Sequence, residues 1–403
     1  MISYLGKNIN RSRYLINLTL QTRSIHGHRY KDESLGVFIP PIYQTAIFEQ
    51  PGFTRKSDRE VDLKYSREEN LTVRAVRALE KILTMLEEGE DTLCFSSGMA
   101  AISTIYYSVL KKNDKIVLPA ESYGTTLQLG EKLRGFGVEV KISWPDTEDI
   151  IESIDKHTKL VLIETITNPT LRVFDIPEIL NVCKENGALL IVDNTFATPY
   201  LYKPFKDGVE VVVHSLTKYL SGHNDVVGGV IISRKERILE LWDWRRMLGT
   251  ILPPFEAFLI IRGLKTFELR MEKHCKNAQA MAEYLEDHPK IKEVIYPGLP
   301  TSKYYRLASR LFKKRFGGVV SFRIRGGEEE VKKLMNSLKI IKPAPSLGGA
   351  ESILTYPIIS AASTIPKDVR EKLGITEDLL RFSLGLEDLE DLIQDIDSAL
   401  NSI

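Results

Sequence analysis

Three short stretches of this sequence, each following an apolar run, carry residue types that together could do chemistry. Asp193 ends Leu189-Leu190-Ile191-Val192 and is followed by Asn194 and Thr195. A carboxylate in a low-dielectric crevice must face a cation, and a protonated pyridine nitrogen is one that suits it. A plain turn cap is the alternative. Ser215-Leu216-Thr217-Lys218 follows Val209–Val213. Two hydroxyls at i and i+2 can face one anion, and a desolvated amine beside them can act as a nucleophile. The adjoining Ser221-Gly222-His223 and Gly228-Gly229 favour a tight, ordered turn over a solvated lysine. Phe95-Ser96-Ser97-Gly98-Met99-Ala100-Ala101 reads as a strand-to-helix junction. Small residues there leave backbone N–H groups free, and a helix N-terminus favours an anion such as phosphate. It is not a P-loop, because the Gly-Lys-Ser/Thr element is absent, and Ser-Gly also serves as an ordinary helix cap. A phosphate seat, an acid for a ring nitrogen and a lysine for an aldehyde together describe pyridoxal phosphate, with the lysine holding it as a Schiff base.

The elements that must position these residues are legible as a pattern. Seven apolar runs recur at Thr92–Phe95, Lys115–Leu118, Glu139–Ile142, Leu160–Ile163, Leu189–Val192, Val209–Val213 and Val227–Ile232. Runs this short, rich in Val and Ile and without polar alternation, predict strands buried on both faces. Between them lie helical patterns such as Ile176–Glu185, which follows Asp175, has Pro177 in its first turn and stops before Gly187. The alternation predicts an α/β fold with a mainly parallel sheet, and ligands bind such sheets at the strand ends. The division expected is an extended N-terminal arm over 1–61, a large domain over 62–255 and a smaller α+β domain over 256–403. The arm has Gly36, Pro40-Pro41 and Pro51-Gly52 with little periodicity. In the last region Phe255–Leu285 and Glu328–Leu338 read as long helices, with strand-like stretches at Gly318–Ile324 and near Ile340.

Composition narrows the function classes. The 403 residues are 43% hydrophobic and 27% charged, enough for a sizeable core and against bulk disorder. With 55 basic and 54 acidic residues the net charge is +1, so no field favours nucleic acid or an anionic membrane. Lys313-Lys314-Arg315 reads as a solvated face. Cys94, Cys183 and Cys275 are odd in number and widely spaced, which argues against a disulfide framework or zinc ribbon. No His/Cys/Asp/Glu cluster has metal-ligand spacing, so no metal is expected. No apolar run approaches the roughly 18 residues of a membrane span, and the expected compartment is the cytoplasm.

The residues also match a known family. The chain resembles the Cys/Met metabolism, or trans-sulfuration, enzymes: cystathionine γ-synthase, cystathionine γ-lyase and methionine γ-lyase. The matching stretches are Pro40–Thr45, Tyr65-Ser66-Arg67, Ser97–Ala100, Ser122-Tyr123-Gly124, Asn168-Pro169-Thr170, Val192–Thr195, His214–His223, Ser346–Gly349 and Arg381–Asp388. The resemblance runs from about His26 to the C-terminus. It implies the fold type I pyridoxal-phosphate architecture: a mainly parallel seven-stranded sheet with helices on both faces, and a smaller C-terminal domain.

Residue by residue, the resemblance implies that Lys218 carries the cofactor and moves protons, Asp193 pairs with the pyridine nitrogen, and Tyr123 stacks on the ring and assists. The phosphate would be held by Ser215, Thr217 and the backbone of Gly98 and Met99, with Tyr65 and Arg67 supplied by a neighbouring subunit of a homotetramer built as a dimer of dimers. Arg381, helped by Ser346 and Asn168, would grip the substrate α-carboxylate. Other readings stand beside these: core packing for Tyr123, a Gly-rich turn for Ser346, a structural salt bridge for Arg381, and scaffold for His214 and His223.

Three positions depart from the family. Pro345 stands where synthases and γ-lyases usually have Glu, Thr125 where methionine γ-lyases usually have Cys, and Gln128 where γ-lyases often have Arg. The expected activity is γ-elimination or γ-replacement on a sulfur amino acid or an activated homoserine ester, cystathionine γ-synthase or γ-lyase first, methionine γ-lyase or O-acylhomoserine sulfhydrylase second. A non-catalytic pyridoxal-phosphate or nucleotide-binding protein is the alternative from another class.

Overall fold

The seven apolar runs become the seven strands of one sheet: β1 Asp91–Phe95, β2 Lys115–Pro119, β3 Glu139–Ser143, β4 Thr158–Glu164, β5 Leu189–Asp193, β6 Val211–Ser215 and β7 Gly229–Ser233. Their order is β1-β7-β6-β5-β4-β2-β3. The pairings of β5 with β4, β4 with β2 and β2 with β3 are parallel, whereas β7 runs antiparallel to both β1 and β6. The structure is a computed structural model that describes residues 18–28, 37–49, 65–67 and 74–403. Most of the arm expected over 1–61 lies outside the described residues.

One expectation for the sheet is corrected at β3. Read as buried on both faces, it is the edge strand of the sheet, and Glu139, Lys141 and Ile142 are exposed. A strand with one neighbour has only one side and one face to bury, and charged side chains on it discourage further pairing.

By contact the chain forms two compact units. The first draws on Met1–Val109, Lys203–Ser221 and Asp225–Glu268, the second on Leu110–Tyr202, Gly222–Asn224 and Leu269–Ile403. In the first, the helix Arg74–Glu87 packs against β1. Its apolar stripe, Ala75, Val76, Leu79, Ile82, Leu83 and Leu86, is 3% exposed or less. Each of the larger side chains contributes about 2 kcal/mol by leaving water. The short helix Leu20–His26 is tied to the same unit through Arg23, whose guanidinium bonds Glu88 Oε1 at 2.7 Å and the Met85 carbonyl at 3.2 Å.

In the second unit a five-stranded sheet has the order β10-β11-β12-β9-β8, from β8 Ile291–Ile295, β9 Val319–Ile324, β10 Lys342–Pro343, β11 Ile353–Thr355 and β12 Leu379–Ser383. Phe322, Leu380 and Phe382 of this sheet pack with Met281 and Leu285 of the helix Phe267–Glu286 and with Leu392, Ile396 and Leu400 of the C-terminal helix Leu389–Leu400.

Two further expectations change here. Phe255–Leu285 is two helices, Pro254–Leu264 and Phe267–Glu286. The break comes where Lys265 N–H and Thr266 N–H turn to the carbonyls three residues back, Arg262 and Gly263, so the last turn tightens and the helix stops. The strand-like stretch near Ile340 is only the two-residue β10, because the amides of Lys339, Ile340 and Ile341 all donate to the carboxylate of Asp395 at 2.9 Å. That buried acid, 5% exposed, takes the N–H groups a neighbouring strand would have taken.

Candidate active site

In the first compact unit, β6 ends at Ser215 and the chain turns sharply. Leu216 N–H donates to the Gly228 carbonyl at 2.9 Å, and Gly228 N–H returns a bond to Thr217 Oγ1 at 3.1 Å. Ser221 N–H closes onto the Leu216 carbonyl at 3.1 Å, and its hydroxyl donates to the Lys218 carbonyl at 3.2 Å. Leu216, Tyr219 and Leu220 go into the core, at most 1% exposed. Ser215, Thr217 and Lys218 are left half-buried.

Two glycines allow the helix Gly98–Val109 to start against this turn. A Cβ on Gly98 would stand 3.2 Å from the Ser215 Cβ and 3.5 Å from its Oγ. A Cβ on Gly229 would lie 2.0 Å from the Ser97 carbonyl oxygen and 2.6 Å from the Gly98 nitrogen. Ser97 is also a true cap, since its Oγ accepts from Ala100 N–H at 3.0 Å. The helix start and the Ser215 hydroxyl are therefore neighbours. Behind them His214 Nε2 meets Glu87 Oε1 at 2.6 Å, both side chains at most 2% exposed, which makes His214 part of the scaffold.

Tyr65 and Arg67 lie in the same unit. Tyr65 bridges to Ile47, and the Arg67 guanidinium sits 5.5 Å over the Tyr65 ring while donating to the Arg246 carbonyl at 2.6 Å. That carbonyl belongs to the last turn of the helix Lys235–Leu248, where a cation is favoured.

In the second unit Asp193 ends β5. Its Oδ1 accepts from Thr195 N–H at 3.0 Å and from the Thr195 hydroxyl, so the carboxylate does cap the following turn. Its neighbour across the parallel pairing with β4 is a second acid, Glu164. Glu164 is 7% exposed, and burial, then the Asp193 charge beside it, push its carboxyl well above the usual carboxylate range. Glu164 Oε1 accepts from Tyr123 N–H at 2.6 Å. Tyr123 itself is 46% exposed at the start of the helix Gly124–Leu133, so the core-packing reading of its ring fails.

The loop that carries Asn168 is stapled beside Tyr123. Glu121, fully buried, accepts from Thr170 N–H, the Thr170 hydroxyl and Arg172 Nε, each at 2.7 Å. Asn168 Oδ1 in turn accepts from Arg381 Nη1 at 2.9 Å. Arg381, 3% exposed on β12, also donates through Nη2 to the Thr355 hydroxyl at 3.0 Å and to the Ser346 carbonyl at 2.5 Å. All of these partners are neutral oxygens, and Ser346 reaches Arg381 through its backbone. Ser346 is held at φ 84, a left-handed conformation that costs a serine about 1–3 kcal/mol.

Thus Ser215, Thr217, Lys218, Gly98 and Met99 come together in one unit, and Tyr123, Asp193, Asn168, Ser346 and Arg381 lie in the other. Sequence reasoning missed Glu164, Glu121, Arg172 and Thr355. The signal for Glu164 was present: an acid directly after Leu160–Ile163 repeats the pattern that singled out Asp193. Among the described residues no group of three or more His, Cys, Asp or Glu is gathered to hold a metal ion, and no helix is long and apolar enough to cross a membrane.

Residues 21–401 match the model of the Cys/Met metabolism PLP-dependent enzymes. The chain belongs to that family. It is 42% identical over 396 residues to an L-methionine gamma-lyase of Fusobacterium nucleatum, covering 95% of this chain and 98% of that one. It is 40% identical to a cystathionine gamma-lyase of Bacillus subtilis, covering 95% and 99%. A crystal structure of cystathionine gamma synthase from Xanthomonas oryzae pv. oryzae, in complex with aminoacrylate and cysteine, superposes with a TM-score of 0.90 at 35% identity, covering 96% of this chain and 98% of that one.

The expected fold type I architecture and an enzyme of sulfur amino-acid metabolism follow from this membership, and the cofactor is pyridoxal phosphate. The donor set fits that group. A helix start and two hydroxyls suit a phosphate, an amine suits an aldehyde, and a strand-end carboxylate suits a ring nitrogen.

Proposed function

We propose that this family member catalyses γ-elimination and γ-replacement on sulfur amino acids or activated homoserine esters in trans-sulfuration, with broad tolerance of the leaving group. When bound, pyridoxal phosphate supplies an aldehyde for the substrate amine and an electron-withdrawing ring. Lys218 holds the cofactor through its amine and afterwards moves protons between the substrate's α- and β-carbons. Asp193 keeps the proton on the ring nitrogen. Tyr123 would face the ring of the bound cofactor and assist proton transfer. Ser215, Thr217 and the amides of Gly98 and Met99 hold the phosphate, with Tyr65 and Arg67 contributed by a neighbouring subunit. Arg381, set by Asn168 and Ser346, receives the substrate α-carboxylate.

The observation that carries the specificity is the lack of charge at two exposed positions. Pro345 and Gln128 are both exposed; the first offers no negative charge for the distal ammonium of cystathionine and the second no positive charge for its distal carboxylate. A site built to bond a distal group rejects substrates lacking it far more strongly than a permissive one does. The same observation favours methionine γ-lyase or O-acylhomoserine sulfhydrylase as the second reading, since methionine has no distal charge, and the Fusobacterium relative bears the first of those names.

A panel of cystathionine, methionine, homocysteine, cysteine and O-acetyl-, O-succinyl- and O-phosphohomoserine, with several thiols, tests the reading. Several γ-substituted substrates should react at comparable kcat/KM. One substrate preferred by a hundredfold, about 2.7 kcal/mol, or β-elimination alone, overturns it. The assembly we infer is a homotetramer with shared sites in the cytoplasm, its chain divided into an arm (1–61), a cofactor domain (62–255) and a C-terminal domain (256–403).

A further inference from the structure

Glu164 has no role in the proposed chemistry, yet its carboxyl is buried among the functional residues and bonded to one of them. It is buried at the end of β4, beside Asp193 in the parallel register, and accepts the Tyr123 N–H at 2.6 Å. The Tyr123 carbonyl is held as well, by Thr126 N–H at 2.8 Å and Leu127 N–H at 3.2 Å. The Tyr123 backbone is therefore fixed on both sides while its ring stays exposed.

We propose that Glu164 is a positioning residue for the cofactor ring: its carboxyl fixes the Tyr123 backbone, and through it the angle of the tyrosine ring, in register with Asp193. This rests on the assignment of Tyr123 as the ring-facing residue. A carbonyl-type acceptor at this point is what the Tyr123 amide needs, because a buried N–H without one costs the full desolvation penalty. A second negative charge beside Asp193 is not needed. Burial and then the Asp193 charge push the Glu164 carboxyl well above the usual carboxylate range, the direction expected where a second negative charge is not required.

The test compares Glu164→Gln, Glu164→Ala and Glu164→Met with wild type and Tyr123→Ala. Pyridoxal phosphate is titrated into each apoprotein, the visible circular dichroism of the bound cofactor is recorded, and the thermal midpoint of the apoprotein is measured. Glu164→Gln keeps an acceptor and should match wild type in cofactor affinity and dichroism. Glu164→Ala and Glu164→Met should bind the cofactor about tenfold more weakly and show an altered dichroic band, while their folded apoproteins lose only the few degrees of thermal midpoint that one unpaired amide accounts for. Unchanged affinity and dichroism in the Ala and Met variants overturns the proposal. So does a Gln variant as impaired as Ala, or failure of both Ala and Met variants to fold, which makes Glu164 purely structural. If Tyr123→Ala leaves the dichroism unchanged, the assignment of Tyr123 itself falls; if only the Glu164 variants do so, that assignment stands and the role of Glu164 falls.

Discussion

Asp193 does two things with one carboxylate. It caps its own turn through Thr195, and it is proposed to keep the cofactor nitrogen protonated. Asp193→Asn separates the two, because the amide oxygen can still accept from Thr195 whereas a neutral side chain cannot hold the ring proton. The variant should fold and retain some cofactor, while kcat falls at least about a hundredfold. Near-wild-type turnover would show that the acid has been misassigned. Asp193, Lys218 and the serine-glycine turn were legible in the sequence because each ends an apolar run. Arg381 was legible through its family motif, but its setting was not. That an amide, a hydroxyl and a backbone carbonyl are among its partners depends on Asn168, Thr355 and Ser346, which are far apart in the sequence and meet only through the fold.

At the scale of elements, the contact between the start of the helix Gly98–Val109 and the head of β7 is backbone against backbone. Gly229→Ala would place its methyl 2.0 Å from the Ser97 oxygen, with no flexible side chain to yield. We expect a loss of about 1–3 kcal/mol in urea unfolding together with weaker cofactor retention; an unchanged midpoint would mean that the junction moves freely.

The helix Leu20–His26 offers a pH test. Burial alone would raise Glu88, but hydrogen bonds from Lys203, Lys206 and Arg23 overcome it and hold the carboxyl at about 2 instead of 4.5. A depressed carboxylate adds stability that is complete above the unfolded value and disappears as pH falls through the folded one. Glu88→Gln should therefore cost on the order of 1 kcal/mol at pH 7, and the gap should close between pH 4.5 and pH 2. A gap that stays constant with pH would rule out the ion cluster as its cause. Strands were more legible than helix ends, since short apolar runs mark them directly. The stop at Lys265 and the capture of Ile340 by Asp395 depend on hydrogen bonds that no periodicity reveals.

At the scale of the molecule, Arg67 tests the proposed assembly. Within its own chain it stacks on Tyr65 and caps the helix Lys235–Leu248, a local anchor that could present it to a second copy. Inactive Lys218→Ala and inactive Arg67→Ala subunits, mixed and re-assembled, should recover part of the activity, because one composite site per mixed dimer would be intact. No recovery in verified mixed dimers means that Arg67 serves its own chain.

The strand order also carries a consequence for how the protein is made. Among the described residues β1 stands at the edge of the sheet order with β7 as its strand partner, and Leu93, Cys94 and Phe95 reach full burial in the finished fold. On the ribosome β1 emerges about 130 residues before Gly229–Ser233 is made, so this apolar ribbon spends roughly a third of translation without its mate. Such unpaired edges are where nascent chains stick to one another. The yield of active enzyme should thus depend on elongation rate and on holding chaperones during the interval between the two strands, and a chain released before Ser233 should aggregate instead of forming a smaller folded product.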